Sequence, residues 1–393
     1  MCYSIPGKVL EVNDTLVTLD YFGEKRKARN ELFQISCGEY AYAQGGFIIQ
    51  KIPGVQAEAI LDSWQELFFK LKEIDKRLAR DSGTRYQKAN QIRQRYHGNS
   101  CCVHGIIEFS NYCRNDCLYC GIQHKNLSLK RYRMEAAEII DAAAYAVKKL
   151  GFKALVLQSG EDEYYDEDTL IAVVEGVMRQ SPCLLTLSIG ERSPDTFEAL
   201  YRKGLRGVLL RFETSNPQIY ATMKPGHSLN QRLELLVTLR KMGYLIMTGF
   251  LIGLPGWRKE DIIKDISLTA ELGAEMFSFG PFIPCPDTPL AKEEQASLET
   301  ALEVIAEARI RNPEAKILVT TALETLDKKN ALQLGLMAGA NSIMLNVTPS
   351  RYRQLYSIYP FRAGTDTAIE SRIEFVVNLL QSLGRAPTDL GVS

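Results

Sequence analysis

The chain has no surplus of either charge: over 393 residues, Lys plus Arg and Asp plus Glu each total 47. Without a basic or acidic excess it lacks the footprint of a broad electrostatic binder of nucleic acid or anionic membrane. No apolar run approaches the ~20 residues needed to cross a bilayer. The N-terminus also lacks the charged-then-apolar order of a secretory signal. These absences predict a cytoplasmic protein with no nucleic-acid and no membrane partner. In that compartment the nine cysteines stay mostly reduced, so a tight cysteine cluster reads as metal binding or catalysis rather than disulfides.

What is present falls into two textures, with length enough for a large domain and a small one. Short β-like runs fill the start: Lys8–Val12, Leu16–Leu19, Tyr40–Ala43 and Phe47–Ile49, separated by Asn13-Asp14, Gly23 and Gly45-Gly46. They predict a small, closed or nearly closed all-β barrel of OB-like type. From Gln56 to Arg95 the texture turns helical, with Leu61, Trp64, Leu67, Phe68, Leu71 and Ile74 on one face. Residues 1–75 are expected to form the barrel with its helix and residues 76–97 a helical connector, broken at Asp81-Ser82-Gly83. Beyond lie eight candidate strands: Gly105–Ser110, Ala154–Ser159, Leu184–Ile189, Gly207–Glu213, Leu245–Gly253, Met276–Ile283, Lys316–Thr321 and Ser342–Val347. Helical stretches separate them; in the first, Ile139, Ile140, Ala143, Ala144, Val147 and Leu150 line one face. This is the pattern of an α/β (β/α)8 TIM-type barrel over residues 98–393, in which chemistry gathers at the C-terminal strand ends.

Right after the first of these strands comes Cys113-Arg114-Asn115-Asp116-Cys117-Leu118-Tyr119-Cys120, a CxxxCxxC spacing. Three thiolates on one short loop can ligate three irons of a 4Fe–4S cluster and leave the fourth open. The competing reading is zinc, which as a structural ion usually takes four protein ligands where this loop offers three.

CxxxCxxC after a first barrel strand resembles the radical S-adenosylmethionine (SAM) enzymes. The segment GIIEFSNYCRNDCLYCGIQHKN closely resembles the FeFe-hydrogenase maturase family HydE. The likeness runs on through LKRYRM, VLQSGED, LSIGER, LLRFETSNP, GLPG, GPFIPCPDTPL, TTAL and TPSRYRQLYSIYP, covering about residues 98–362. Methylornithine synthase (PylB) and biotin synthase are more distant relatives. The resemblance implies two cofactors, a 4Fe–4S cluster on Cys113, Cys117 and Cys120 and SAM, which the reduced cluster cleaves to a 5′-deoxyadenosyl radical. It places Tyr119 against adenine, and Gln158, Ser159, Gly160, Glu161 and Asp162 near the methionine ammonium. It has Glu213 accept ribose hydroxyls beside Arg211. Alternation about Phe212 puts those two charges on one side of a strand, where they are costly unless used or paired. Arg232 would face the methionine carboxylate; its alternative is a surface helix arginine. Gln158, Met276, Thr320, Thr321, Met344, Tyr356 and Tyr359 match the substrate cavity, although the methionines read equally as barrel filling.

Several positions depart from that pattern. His104 stands where arginine is usual, Gly207 replaces a pocket arginine, and Phe212 and Cys285 each replace histidine. His104 joins the substrate candidates, and fewer cations imply a less anionic substrate or one whose charge is met elsewhere. No cysteine follows Cys285, so the second cluster of some maturases is absent.

The opening MCYSIPGKV, with GFIIQKI and the helix after it, resembles the NiFe-hydrogenase chaperone family HypC over about residues 1–75. With the start methionine trimmed, the Cys2 amine and thiolate could grip one metal together; a chance thiol at a frayed terminus is the alternative. In that family the cysteine holds iron bearing cyanide and carbon monoxide, and soft thiolate suits such iron. Gln44 stands where the chaperones have histidine, and Cys37, with no motif, is expected in the core. The joined modules predict a radical SAM enzyme of hydrogenase metal-cofactor maturation, acting on an organometallic iron species carried through Cys2. Its partners would be other maturation proteins and an electron donor. The alternatives are an enzyme of the PylB or biotin synthase kind acting on a small amino-acid-type substrate, and a non-catalytic iron carrier.

Overall fold

The structure is a computed structural model and describes residues 5–80 and 83–388. Cys2 and the Asp81-Ser82 part of the expected break lie outside the described residues.

Five strands open it: β1 Gly7–Asn13, β2 Leu16–Tyr21, β3 Glu24–Arg29, β4 Tyr40–Gln44 and β5 Phe47–Ile52. They close into a barrel in the order β1-β2-β3-β5-β4. Alternation drives the closure: Val17, Leu19 and Tyr21 of β2 point inward with Val9, Ala28, Ala41 and Ile48. The strand β3 was not legible in the sequence. In EKRKAR only Ala28 is buried, so β3 is held by its ladder to β2 and not by an apolar face. Cys37 is not in the core: it is exposed, its thiol 3.0 Å from the Leu10 carbonyl.

Helix α1, Gly54–Leu78, lays Trp64 and Phe68 on this small core. Helix α2, Arg85–His97, starts at a Thr84 capping box that pairs with Gln87. A buried ion pair ties the two helices, Arg93 to Asp75 at 2.7 Å.

The large barrel follows as β6 Cys102–Ser110, α3 Ala136–Lys148, β7 Ala154–Ser159, α4 Glu167–Gln180, β8 Leu184–Ser188, α5 Pro194–Arg202, β9 Gly207–Leu209, α6 Pro217–Met223 and α7 Leu229–Lys241. The second half runs β10 Leu245–Thr248, β11 Leu251–Ile252, α8 Asp261–Glu271, β12 Met276–Phe277, β13 Gly280–Pro281, α9 Leu298–Arg311, β14 Lys316–Val319, α10 Thr321–Leu326, α11 Ala331–Met337, β15 Ser342–Asn346, α12 Ser350–Arg353 and α13 Ile369–Ser382. Eight of these strands close in the order β10-β12-β14-β15-β6-β7-β8-β9 with parallel neighbours, a (β/α)8 barrel. Two expected strands are each broken in two. At Gly249 the backbone passes so close to Ser278 that a Cβ would lie 2.2 Å from its carbonyl oxygen, and beyond it β11 and β13 pair as a separate ribbon. The expected strand from Gly207 stops at Leu209, and that from Lys316 stops at Val319, where Thr320 caps α10.

The small barrel packs on the N-terminal mouth of the large one. Tyr40, Tyr42, Phe47, Ile49 and Ile52 form one apolar cluster with Ala154, Leu184 and Leu245, the first residues of β7, β8 and β10. Polar contacts ring it: Arg206 to Glu31 at 2.9 Å, and Arg29 donating to the Gly243 carbonyl at 3.2 Å. At the turn between β4 and β5, Gly45 (φ 56) approaches Leu184 so closely that a Cβ would sit 2.7 Å from its Cδ2.

Candidate radical SAM site

At the opposite, C-terminal mouth, β6 ends at Ser110 and the cysteine loop begins. Side chains hold that loop in place. Arg131 donates to the carbonyls of Ile122 (2.9 Å), Gln123 (2.6 Å) and Asn126 (3.1 Å). Asp162 takes Ser110 Oγ at 2.7 Å and Arg133 Nε at 2.8 Å. Burial pushes the Asp162 carboxyl up, and Arg133, Ser110 and the Tyr164 N–H overcome it and hold it below the usual range. The end of β7 approaches so closely that a Cβ on Gly160 would lie 2.1 Å from the Tyr112 carbonyl oxygen and 2.8 Å from Cys113 Cβ. That explains the glycine: only a residue without a side chain lets this loop lie against the cysteines.

A cavity of about 290 Å3 fills this mouth. It gathers Cys113, Cys117, Cys120, Tyr119, Gln158, Ser159, Gly160, Glu161, Arg211, Glu213 and Arg232, and also Thr320, Thr321, Met344, Tyr356 and Tyr359. His104 and Met276 do not line it; they lie deeper in the barrel. The sequence did not single out Lys224, Arg362, Asn115, Ser188 or Ser278, which also line it, because no spacing or periodicity marks them.

The Cys113 sulfur accepts the Glu161 N–H at 3.3 Å, and Lys224 Nζ lies 3.1 Å from Cys117 Sγ. Burial pushes the Cys113 and Cys120 thiols up, with the neighbouring thiols adding to it. Bare thiolates are therefore disfavoured here and metal-neutralised ones are favoured. Among the described residues no three His, Cys, Asp or Glu side chains converge on a single ion.

Glu161 is fully occupied. It accepts from Arg114 Nε at 2.7 Å, Asn115 Nδ2 at 3.2 Å and the Glu191 N–H at 3.0 Å, so it anchors the cysteine loop to β7 and β8. Glu213 and Arg211 meet in the cavity at 3.1 Å. They do so through a bend, not a strand. Glu213 has φ 68 and bridges to Phe250, a sparsely populated conformation of the kind stored at functional sites. Glu213 Oε2 is buried and faces only the Arg211 guanidinium, which pairs with it without hydrogen-bond alignment. Arg232 is not a surface arginine: it is buried 2.8 Å from Glu191 and donates to the Arg211 carbonyl at 3.0 Å. Burial works against its charge, and Tyr220 and Glu191 more than restore it, leaving its pKa raised. Across the cavity, Arg362 forms a bidentate pair with the fully buried Glu108, and its Nε has no hydrogen-bond partner.

Comparison with known proteins agrees with this geometry. Residues 107–269 match the Radical SAM superfamily and residues 278–386 the Biotin and Thiamin Synthesis associated domain. The FeFe hydrogenase maturase subunit HydE of Thermotoga maritima is 40% identical over 302 residues, 77% of this chain and 86% of that protein. The chain belongs to the HydE family of radical SAM enzymes. Such enzymes use a 4Fe–4S cluster and SAM. A 3-methylornithine synthase of Methanosarcina acetivorans is 30% identical over 77% of this chain and 84% of its own length. The solved structure of methylornithine synthase PylB superposes with a TM-score of 0.67 at 25% identity, covering 82% of this chain and 97% of that one. HydG, at 17% identity and a TM-score of 0.64, shares the fold. Residues 1–64 match the HupF/HypC family. No helix among the described residues is long and apolar enough to cross a membrane.

Proposed function

We propose that this HydE-family enzyme matures a hydrogenase metal cofactor, acting on an iron–carbonyl–cyanide species carried or delivered through Cys2. The observation that carries the reading is the joining, in one chain, of a HydE-type barrel and a HupF/HypC module. We divide the chain at residues 1–75, 76–97 and 98–393. Other hydrogenase maturation proteins and an electron donor are the expected partners, in the cytoplasm.

In this reading Cys113, Cys117 and Cys120 hold the cluster, and Tyr119, Gln158, Ser159, Gly160, Glu161, Arg211, Glu213 and Arg232 surround SAM. When bound, the cluster supplies the electron that cleaves SAM to a 5′-deoxyadenosyl radical. The chain's own residues prepare the site. Lys224 offsets the charge of the Cys117 thiolate. The Glu213 carboxylate accepts ribose hydroxyls while Arg211, 3.1 Å from Oε2, holds it in place. Arg232 offers a guanidinium to the methionine carboxylate. Glu161, with its oxygens already taken, positions the loop rather than binding the ammonium, which falls to carbonyls at the end of β7. Thr320, Thr321, Tyr356 and Tyr359 orient the substrate, and burial keeps both phenols protonated. Arg362 puts a guanidinium, paired with Glu108, on the cavity wall. Met344 lines the cavity, and His104 and Met276 lie beneath it.

The second reading, an amino-acid-type substrate, is favoured by the 30% identity to 3-methylornithine synthase. The test is 5′-deoxyadenosine formation by anaerobically reconstituted enzyme given SAM and a reductant. Stimulation by a thiolate-bound iron–carbonyl–cyanide compound, and none by free amino acids, supports the maturase reading. The reverse pattern overturns it.

A further inference from the structure

Along β6 the inward-facing residues are Cys102, His104, Ile106 and Glu108, and only the last two lie near the SAM cavity. Cys102 and His104 lie at the other end, towards the mouth covered by the small barrel. Cys102 Sγ is 3.5 Å from His104 Nδ1 and 3.9 Å from Nε2, and both residues are buried. The strand register sets Met344 beside His104 and Ser342 beside Cys102. Cys102 packs in one cluster with Met247, Met276 and Met344, and Ser342 Oγ donates to Met276 Sδ at 3.6 Å. Cys102 also lines a second cavity of about 620 Å3, which reaches Arg26 of the small barrel and Glu275 and Lys316 of the large one.

We infer that Cys102 and His104, with the Met344 thioether, form a binding site for a soft transition-metal ion on the barrel axis, entered from the cavity between the two domains. A metal at about 2.3 Å from sulfur and about 2.0–2.1 Å from nitrogen, at a tetrahedral angle, spans about 3.5 Å between the two donors. Cys102 Sγ is within that span of Nδ1 but only 3.9 Å from Nε2, so it lies beside the ring, and a turn of the imidazole about its Cβ–Cγ bond aims the Nδ1 lone pair at a shared ion. Thiolate, imidazole and thioether together select soft metals and low-spin iron over hard cations. Binding forms the sulfur–metal bond and releases the thiol proton to solvent, with no change of oxidation state. Position adds the purpose. The small barrel sits at one mouth and the cysteine triad at the other. Met344 borders both this site and the SAM cavity. Iron handed over by the N-terminal module would meet these donors on its way to the radical site. The inference rests on the proposed function only for its cargo; the site itself is tested without it.

The probe is zinc. Enzyme carrying Cys2→Ser, so that the terminal thiol cannot hold metal, and reconstituted to four irons per chain, so that the triad is filled, is equilibrated anaerobically with Zn2+ and dialysed. One zinc per chain is expected, with sulfur and nitrogen neighbours at the zinc absorption edge. Cys102→Ser and His104→Gln each weaken binding at least tenfold. The volume-conserving Met344→Leu weakens it less and keeps the test decisive if either of the others fails to fold. A Cys2→Ser parent that retains no zinc, or variants that retain it as that parent does, overturn the site. Zinc held as expected, beside an enzyme stimulated only by free amino acids, would keep the site and discard the iron cargo.

Discussion

Replacing Arg362 by Met removes a buried charge and leaves its partner stranded. Glu108 is fully buried on the inner face of β6, and Arg362 is 7% exposed. Arg362 Nη1 donates to Glu108 Oε2 at 3.2 Å, and Nη2 donates to Oε1. Without the guanidinium, Glu108 keeps only Asn346 Nδ2, at 2.8 Å. Breaking a buried pair from one side costs about 3–5 kcal/mol, because a charge is left uncompensated. Replacing both partners by neutral residues of similar volume costs far less. Arg362→Met should therefore lower unfolding stability by about 3–5 kcal/mol, and Glu108→Gln/Arg362→Met by no more than about 1–2 kcal/mol. Urea unfolding of the cluster-free protein, read at constant m-value, measures both. A single variant within about 0.5 kcal/mol of wild type, or a double variant as unstable as the single, would refute the electrostatic reasoning. The folded double variant also isolates function. If Arg362 meets substrate charge, it should raise substrate KM while leaving SAM binding intact.

Gly160→Ala should drive the β7 loop off the cysteines and cut iron content after reconstitution several-fold, read by metal analysis. Glu213→Gln should weaken SAM about 10–100-fold in equilibrium dialysis, the range for a lost hydrogen bond to a charged acceptor. Unchanged affinity would move the ribose elsewhere. Asp162 has a carboxyl pKa below its unfolded value of about 3.9. Its stabilisation is thus present above about pH 4 and lost as pH falls through the folded value. Asp162→Asn should be less stable by about 1–3 kcal/mol at pH 7 and show a shallower acid limb, in urea unfolding from pH 3 to 7. Gly45→Ala, with its Cβ against Leu184 and a left-handed φ, should loosen the small barrel from the mouth and speed proteolysis between α1 and α2.

The barrel and most of its site were legible because both are written as local patterns. Buried parallel strands such as ALVLQS are continuous apolar runs, and three cysteines on one loop need no tertiary knowledge. What escaped was contributed by tertiary structure. The strand β3 carries a single buried residue, so nothing in EKRKAR announces it. The break at Gly249 follows from the close approach of Ser278, far along the chain. Lys224 and Arg362 reach the cavity from loops whose spacing is silent. Arg211 and Glu213 were placed together by strand alternation, and they do meet, but through a bend at Glu213. His104 and Met276 were assigned to the substrate cavity by likeness and lie beneath it. Cys37 was read as core for want of a motif and is exposed.

The central claim is that the N-terminal module brings organometallic iron to a radical SAM barrel. It is tested most directly by the infrared spectrum of the protein produced anaerobically beside a hydrogenase maturation system, as wild type and as Cys2→Ser. Carbonyl and cyanide stretches in wild type that vanish in Cys2→Ser are the predicted result. Their absence from both samples, under conditions where a HypC control shows them, would contradict the account and reduce the module to a docking domain.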